Sequence, residues 1–209
     1  MDRPQPAAFM NTATRYGWVA IVLHWAMALA LLALFVSGVW MVGLPDVGFD
    51  RTKITWILLH KAVGVAALIA VALRLAWRAA NPLPHLAAGL PEWQRFAARL
   101  AHLCLYGFMV AIPLSGWLMS SAGGYPVSVL GLFDLPALVP VNEQHFHAWV
   151  AVHQWLAYAF ALLVAVHAAA ALRHHFVLRD DSLRRMLPGR YEVDSATSRA
   201  SSASASETA

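Results

Sequence analysis

Charge is what this chain has least of. Only 12% of its 209 residues are Asp, Glu, Lys or Arg, against about 25% in a soluble domain. That shortfall excludes an ordinary soluble single-core enzyme. Lysine occurs twice, at Lys53 and Lys61, and cysteine once, at Cys104. A single cysteine excludes both a disulfide framework and a cysteine-based metal site. In its apolar context Cys104 reads as a small packing residue. There is no phosphate loop, nucleophile triad or nucleotide-binding fingerprint, so nicotinamide and nucleotide chemistry are set aside. No internal repeat is apparent along the chain. Aromatics, by contrast, are plentiful, and nine Trp exclude a disordered or fibrous protein.

Hydrophobic residues make up 60% of the sequence, and the mean hydropathy is +0.57. They gather in four runs: Trp18 to Met41, Ile54 to Trp77, Leu100 to Ser120, and Ala148 to Leu172. About 20 apolar residues cross a hydrocarbon core, and in lipid the backbone must bond to itself, so each run predicts a spanning helix. The expected fold is all-α, an integral membrane four-helix bundle with helices over about 16–42, 54–79, 95–121 and 146–175. Pro113 should kink the third helix. The first run is too long for a cleavable signal peptide and has no small-residue cleavage site after it. Residues 1–14 form an N-terminal segment, and 15–190 the membrane domain. Residues 191–209 are a Ser/Ala-rich tail expected to be disordered. The outer connection, Ala122–Gln144, holds Pro126, Pro136 and Pro140 and should cover one mouth of the bundle.

Twelve of the 15 Lys and Arg residues fall in the two termini and the second connection. By the positive-inside rule both termini and residues 81–93 face the cytoplasm. Trp18, Trp40, Trp56, Trp77, Trp93 and Trp149 lie near span ends, as an interfacial aromatic belt requires. The net charge of +4 then indicates an anionic membrane lipid face rather than nucleic acid.

The ten histidines carry the functional argument. Four lie within the runs at matching depths. His24 and His167 each sit about 9 Å from the cytoplasmic end, and His60 about 10 Å from the outer end, with His153 in the same outer layer. His153 and His167 are 14 residues apart, close to four helical turns, so they share a face about 21 Å apart. That separation suits two haem irons stacked across a bilayer, and imidazole suits iron. Facing helices of a bundle are a known support for such a cofactor. Two histidines on one iron leave no open position for dioxygen or substrate, which favours electron transfer. Against this stand ordinary interhelical hydrogen bonding by histidine, a zinc site and a proton pathway. The last two normally recruit carboxylates, and none lies inside a run.

Other residues have two readings each. Arg74, 14 residues after His60, meets a haem propionate or a quinone head group, or is an interfacial anchor. Lys61 binds an outer propionate or attracts an anion, or snorkels. His102 is a quinone partner or bonds backbone. His145 and His147 donate to an outer propionate or are solvated, and His174 and His175 close the fourth helix. Gly38, Gly43, Gly64 and Gly116 permit close approach of a porphyrin or of another helix.

The motifs Leu23-His24-Trp25, His60-Lys61-Ala62-Val63-Gly64, Arg74-Leu75-Ala76-Trp77-Arg78, Ala101-His102-Leu103 with Tyr106, Ile112-Pro113-Leu114-Ser115-Gly116-Trp117 and Val166 to Phe176 occur in order. As a set, from about Thr14 to Pro188, they resemble the bacterial cytochrome b561 family. The resemblance implies a four-helix membrane bundle with two stacked b-type haems that exchanges electrons with quinone. It carries over His24, His60, His153 and His167 as the haem ligands. Expected partners are ubiquinone and a one-electron donor such as superoxide or a redox protein, and the expected place is the bacterial inner membrane. Superoxide:ubiquinone oxidoreductase activity is one implied role, with Arg51, Lys53 and Lys61 steering the anion. A haem-bearing anchor subunit for a dehydrogenase, hydrogenase or periplasmic cytochrome is the alternative, and a His-lined metal transporter a third.

Overall fold

Polar caps set where two of the four long helices begin. In the computed structural model, which describes residues 9–12, 15–44, 50–84, 91–129 and 131–187, α1 spans Trp18–Val42 and α2 Arg51–Ala80. Helix α3 spans Glu92–Ala122 and α4 Glu143–Arg173. The Asp50 carboxylate accepts from the amides of Thr52 at 2.8 Å and Lys53 at 3.4 Å, so α2 starts three residues before its apolar run. Asn142 likewise caps α4 by accepting from the His145 amide at 2.9 Å. Helix α1 starts later than the expected residue 16. Gly17 stays extended because its amide donates to Asn11 Oδ1 at 2.8 Å. Asn11 Nδ2 also donates to the Pro82 carbonyl, which ties the entry of α1 to the exit of α2.

At about 1.5 Å per residue each helix exceeds the roughly 30 Å hydrocarbon thickness. Their packed core is small: Met27, Val71, Met109 and Phe160, one from each helix, are buried together. Leu29, Leu32, Leu73, Leu103 and Leu162 are exposed around the bundle, the surface lipid would cover. Cys104 is exposed on that surface too, a correction to its expected packing role, because its position on α3 turns it away from the other helices. Helix α3 is continuous through Pro113.

The described residues before α1, just after α2 and after α4 lie at one end of the bundle, here the terminal end. The α3–α4 connection at the other end is not an irregular strap. It contains an antiparallel hairpin of β1 (Val127–Val129) and β2 (Phe133–Leu135). Lys61 Nζ holds it to α2 through the Pro126 carbonyl at 3.2 Å. Trp117 Nε1 holds it to α3 through the Pro136 carbonyl at 3.0 Å. At the terminal end α4 runs on into a π-turn, His174–Leu178, and stops at Arg179, whose positive φ of 53° turns the chain away. A short 3-10 turn, Arg184–Met186, then returns to α1, where Trp25 Nε1 donates to the Met186 carbonyl at 2.6 Å.

Candidate functional site

At the hairpin end, His60 on α2 and His153 on α4 face each other with ring centres 6.2 Å apart and planes at 80°. Each ring is held at Nδ1. Ser37 Oγ lies 3.1 Å from His60 Nδ1 and 3.1 Å from the Leu34 carbonyl. The carbonyl only accepts, so the one hydroxyl proton goes there and Ser37 accepts from His60 Nδ1–H. The arrangement recurs on the other side. Ser115 Oγ donates to the Ile112 carbonyl at 2.7 Å. His153 Nδ1–H is shared between Ser115 Oγ and the Ile112 carbonyl, both at 3.0 Å. Both rings therefore carry their proton on Nδ1 and keep a lone pair on Nε2.

The residue after Ser115 clears space for its ring: a Cβ on Gly116 would come 3.1 Å from His153 Cε1, tighter than an ordinary contact, whereas one on Gly38 would meet His60 Cε1 at an ordinary 3.4 Å. Gly64 has nothing within 4 Å and plays no such part. Two metal–imidazole bonds of about 2 Å, plus about 1 Å from each nitrogen to its ring centre, need about 6 Å between centres. The observed spacing and the two free Nε2 lone pairs fit an iron held between the rings.

At the terminal end the polar residues form a larger cluster. His102 and His167 stack edge-on, ring centres 5.4 Å apart. His24 lies within electrostatic reach of both, but its direct hydrogen bond is to Arg74, whose Nη2 donates to His24 Nδ1 at 3.1 Å. Arg74 Nε donates to the Tyr106 hydroxyl at 2.9 Å, and Arg74 and Arg78 both lie over the Tyr106 ring. Guanidinium has only donors, so His24 accepts at Nδ1 and carries its proton on Nε2. That is the opposite tautomer from the hairpin-end pair. A metal bond from His24 Nε2 therefore requires Arg74 to release Nδ1. Tyr16 adjoins this cluster just before α1. Burial pushes its phenol up, against the pull of Arg78 and Arg74, and keeps it protonated. One turn past Arg74, Trp77 Nε1 is buried without a partner.

The two layers are set by α4 itself, which is unbroken from Glu143 to Arg173. His153 and His167 sit about 21 Å apart along it at 1.5 Å per residue. Phe160, midway between them, packs on Phe108 with ring centres 6.0 Å apart. A few positions match between the first and second helix pairs: His24, Ser37, Gly38 and Met41 recur 78 residues later as His102, Ser115, Gly116 and Met119, and His60 recurs 93 residues later as His153. The helices are otherwise dissimilar.

Lys61 faces the hairpin, its ammonium 5.5 Å from the centre of the Tyr125 ring. Tyr125, Phe146, His147 and Glu143 line a neighbouring cavity of about 380 Å³, where His147 and Glu143 pair at 4.0 Å. His145 lies in the capped first turn of α4. His174 is engaged by Asp180 at 2.5 Å, and His85 lies outside the described residues. Ser37, Ser115, Tyr106 and Tyr16 are site residues that helical spacing alone does not single out.

Comparison with known proteins bears on the whole arrangement. Residues 15–189 match the family model described as prokaryotic cytochrome b561. The chain is 37% identical over 182 residues to "Cytochrome b561 homolog 2" of Escherichia coli (strain K12), covering 86% of this chain and 95% of that protein. It is 30% identical over 179 residues to "Cytochrome b561 homolog 1" of the same organism, covering 84% and 98%. It is 26% identical over 175 residues to "Probable superoxide oxidase CybB" of Yersinia pestis, covering 83% and 96%. The match along nearly the full membrane domain, and the four long apolar helices with it, make the chain a member of the prokaryotic cytochrome b561 family of membrane electron-transfer haem proteins.

Proposed function

We propose that the chain holds two b-type haems, one between His60 and His153 and one between His24 and His167. It would move electrons between a one-electron donor at the hairpin face and ubiquinone in the membrane. The observation that carries this reading is the hairpin-end pair: two imidazoles, each bonded through Nδ1, with ring centres 6.2 Å apart, the spacing an iron held between them would need. Bound there, haem supplies reversible one-electron transfer. The protein's part would be to hold the haem between two imidazoles, so that a donor would react by electron transfer rather than by binding iron. Arg74 is the residue placed to turn from His24 toward an anionic propionate or a quinone oxygen once the terminal-end site is filled. Trp77 Nε1 is a buried donor in the same region with its bond unmade.

Superoxide is the proposed donor, in keeping with the printed name of the Yersinia pestis relative. Arg51, Lys53 and Lys61 would raise its concentration at the hairpin end. Among the described residues Asp50, Asp134 and Glu143 lie at the same end and weaken that field. Asp50 is occupied as the cap of α2, and Lys61 is held at the hairpin. The proposed placement is the bacterial inner membrane with both termini cytoplasmic, residues 15–190 forming the haem-bearing unit.

The test is made on the purified full chain. Two haems per chain are expected, with one lost on His60→Ala or His153→Ala and the other retained. Superoxide should reduce the haem, more slowly at high salt, and a soluble ubiquinone analogue should reoxidise it. Full haem content after either substitution overturns the ligand assignment. No reduction by superoxide, with ready reduction by a co-purifying protein, overturns the donor and leaves the anchor-subunit role. A reporter fused after Arg190 that is active only in the periplasm overturns the orientation.

A further inference from the structure

The geometry points to Ser37 and Ser115 as positioning residues that set the tautomer and electron-donating strength of the two hairpin-end histidines, with unequal weight. The inference rests on the reading that His60 and His153 share an iron, and it goes beyond that reading by naming what controls the iron.

The two serines occupy matching places. Each is on the helix that precedes its histidine's helix, each is followed by the glycine that faces the ring, and each donates its own proton three residues back, to Leu34 or Ile112. A serine has one proton and two lone pairs. With the proton spent on a carbonyl, its remaining capacity toward the ring is as an acceptor. It therefore locks Nδ1–H and frees Nε2, the nitrogen a metal needs. Accepting from Nδ1–H also adds negative character to the imidazole. A more basic ligand favours the ferric over the ferrous state and lowers the reduction potential.

The two sides then differ in one contact. His153 Nδ1 has a second acceptor, the Ile112 carbonyl at 3.0 Å, equal in length to its bond with Ser115. The acceptor observed for His60 Nδ1 is Ser37. Loss of the Ser115 hydroxyl leaves the His153 proton still bound to backbone. Loss of the Ser37 hydroxyl takes away the acceptor that orients His60.

The experiment is equilibrium redox titration of the purified holoprotein, followed by haem absorbance and low-spin electron paramagnetic resonance, for Ser37→Ala, Ser115→Ala and Ser37→Thr. His60→Ala identifies the hairpin-end haem. For Ser37→Ala the ratio of reduced to oxidised hairpin-end haem at a fixed potential should rise by about three- to tenfold. For Ser115→Ala it should change by less than about twofold. Ser37→Thr, which keeps a hydroxyl, should return toward wild type. Two intact haems with an unmoved titration in Ser37→Ala overturn the proposal. So does a Ser115→Ala shift as large as that of Ser37→Ala, since the inequality is its central claim. If His60→Ala removes no haem, the assignment of the pair to an iron is what fails, and the serine role falls with it.

Discussion

Arg74 Nη2 donates to His24 Nδ1 across 3.1 Å, joining the C-terminal part of α2 to α1. The same guanidinium reaches the Tyr106 hydroxyl on α3 at 2.9 Å, so one side chain links three of the four helices. A forked, permanently charged group is suited to this, and a lysine cannot make both bonds in the same planar geometry. The bond also places the His24 proton on Nε2, the opposite of the hairpin-end pair.

Arg74→Ala should therefore act at one end of the bundle. The expected result is a shifted potential for one haem and an unchanged one for the other, with a loss of stability of about 1–3 kcal/mol from the broken bonds. Arg74→Lys should keep the charge yet restore neither property fully. Redox titration of both haems alongside thermal unfolding checks this. Equal shifts in both haems would show that Arg74 acts on the whole fold.

Gly116 and Gly38 should respond differently to the same methyl group. Either alanine gains up to about 1 kcal/mol in helix propensity. At Gly38 the new Cβ meets His60 Cε1 at 3.4 Å, an ordinary contact, and the variant should be as stable as the parent or more so. At Gly116 it meets His153 Cε1 at 3.1 Å and Nδ1 at 3.4 Å. The ring must move, at an overpacking cost of about 1–3 kcal/mol. Melting temperature and the haem absorption band should both change for Gly116→Ala. A silent Gly116→Ala beside a disruptive Gly38→Ala would contradict the geometry.

Asp180 should give the fold an acid-sensitive end. Burial alone pushes its carboxyl up, but the hydrogen bonds from His174 and Ser182 outweigh this and hold it below its ordinary value of 3.8. A carboxyl lowered on folding contributes its stabilisation in full above pH 3.8, and that contribution is lost as the pH falls through the folded-state value. The stabilisation is about 1 kcal/mol. Unfolding followed from pH 6 downward should therefore show a drop below about pH 4 that Asp180→Asn lacks. Parallel curves for the two proteins would remove Asp180 from the account.

Asn11 should matter more than its place near the chain start suggests. Its side chain is buried, accepts from the Gly17 amide and donates to the Pro82 carbonyl. Asn11→Ala leaves both backbone groups without their partner, at a cost of about 1–3 kcal/mol. Asn11→Asp can accept but not donate and should recover part of that loss. Thermal unfolding of the three proteins measures it, and three equal melting temperatures would mean solvent satisfies these groups.

The amino-acid order alone determined the four spanning helices, because about 20 apolar residues without carboxylates have one stable form in lipid. It also determined the two layers, because His153 and His167 lie close to four whole turns apart on a helix that nothing interrupts. The helix starts were less legible, since Asp50 and Asn142 are polar and fall outside the apolar runs they cap. What only the tertiary structure decided is which side chains meet. His102 reads like any polar residue near a span end, yet helix packing sets it against His167. Arg74 reads as an anchor or a ligand, yet it is bonded to His24 and Tyr106 at once. Ser37 and Ser115 read as small helix residues, because a serine hydroxyl returned to its own backbone leaves no trace in sequence periodicity. Their partners His60 and His153 come from other helices, at separations of 23 and 38 residues, and a one-helix pattern carries no information about a contact that only the folded bundle makes.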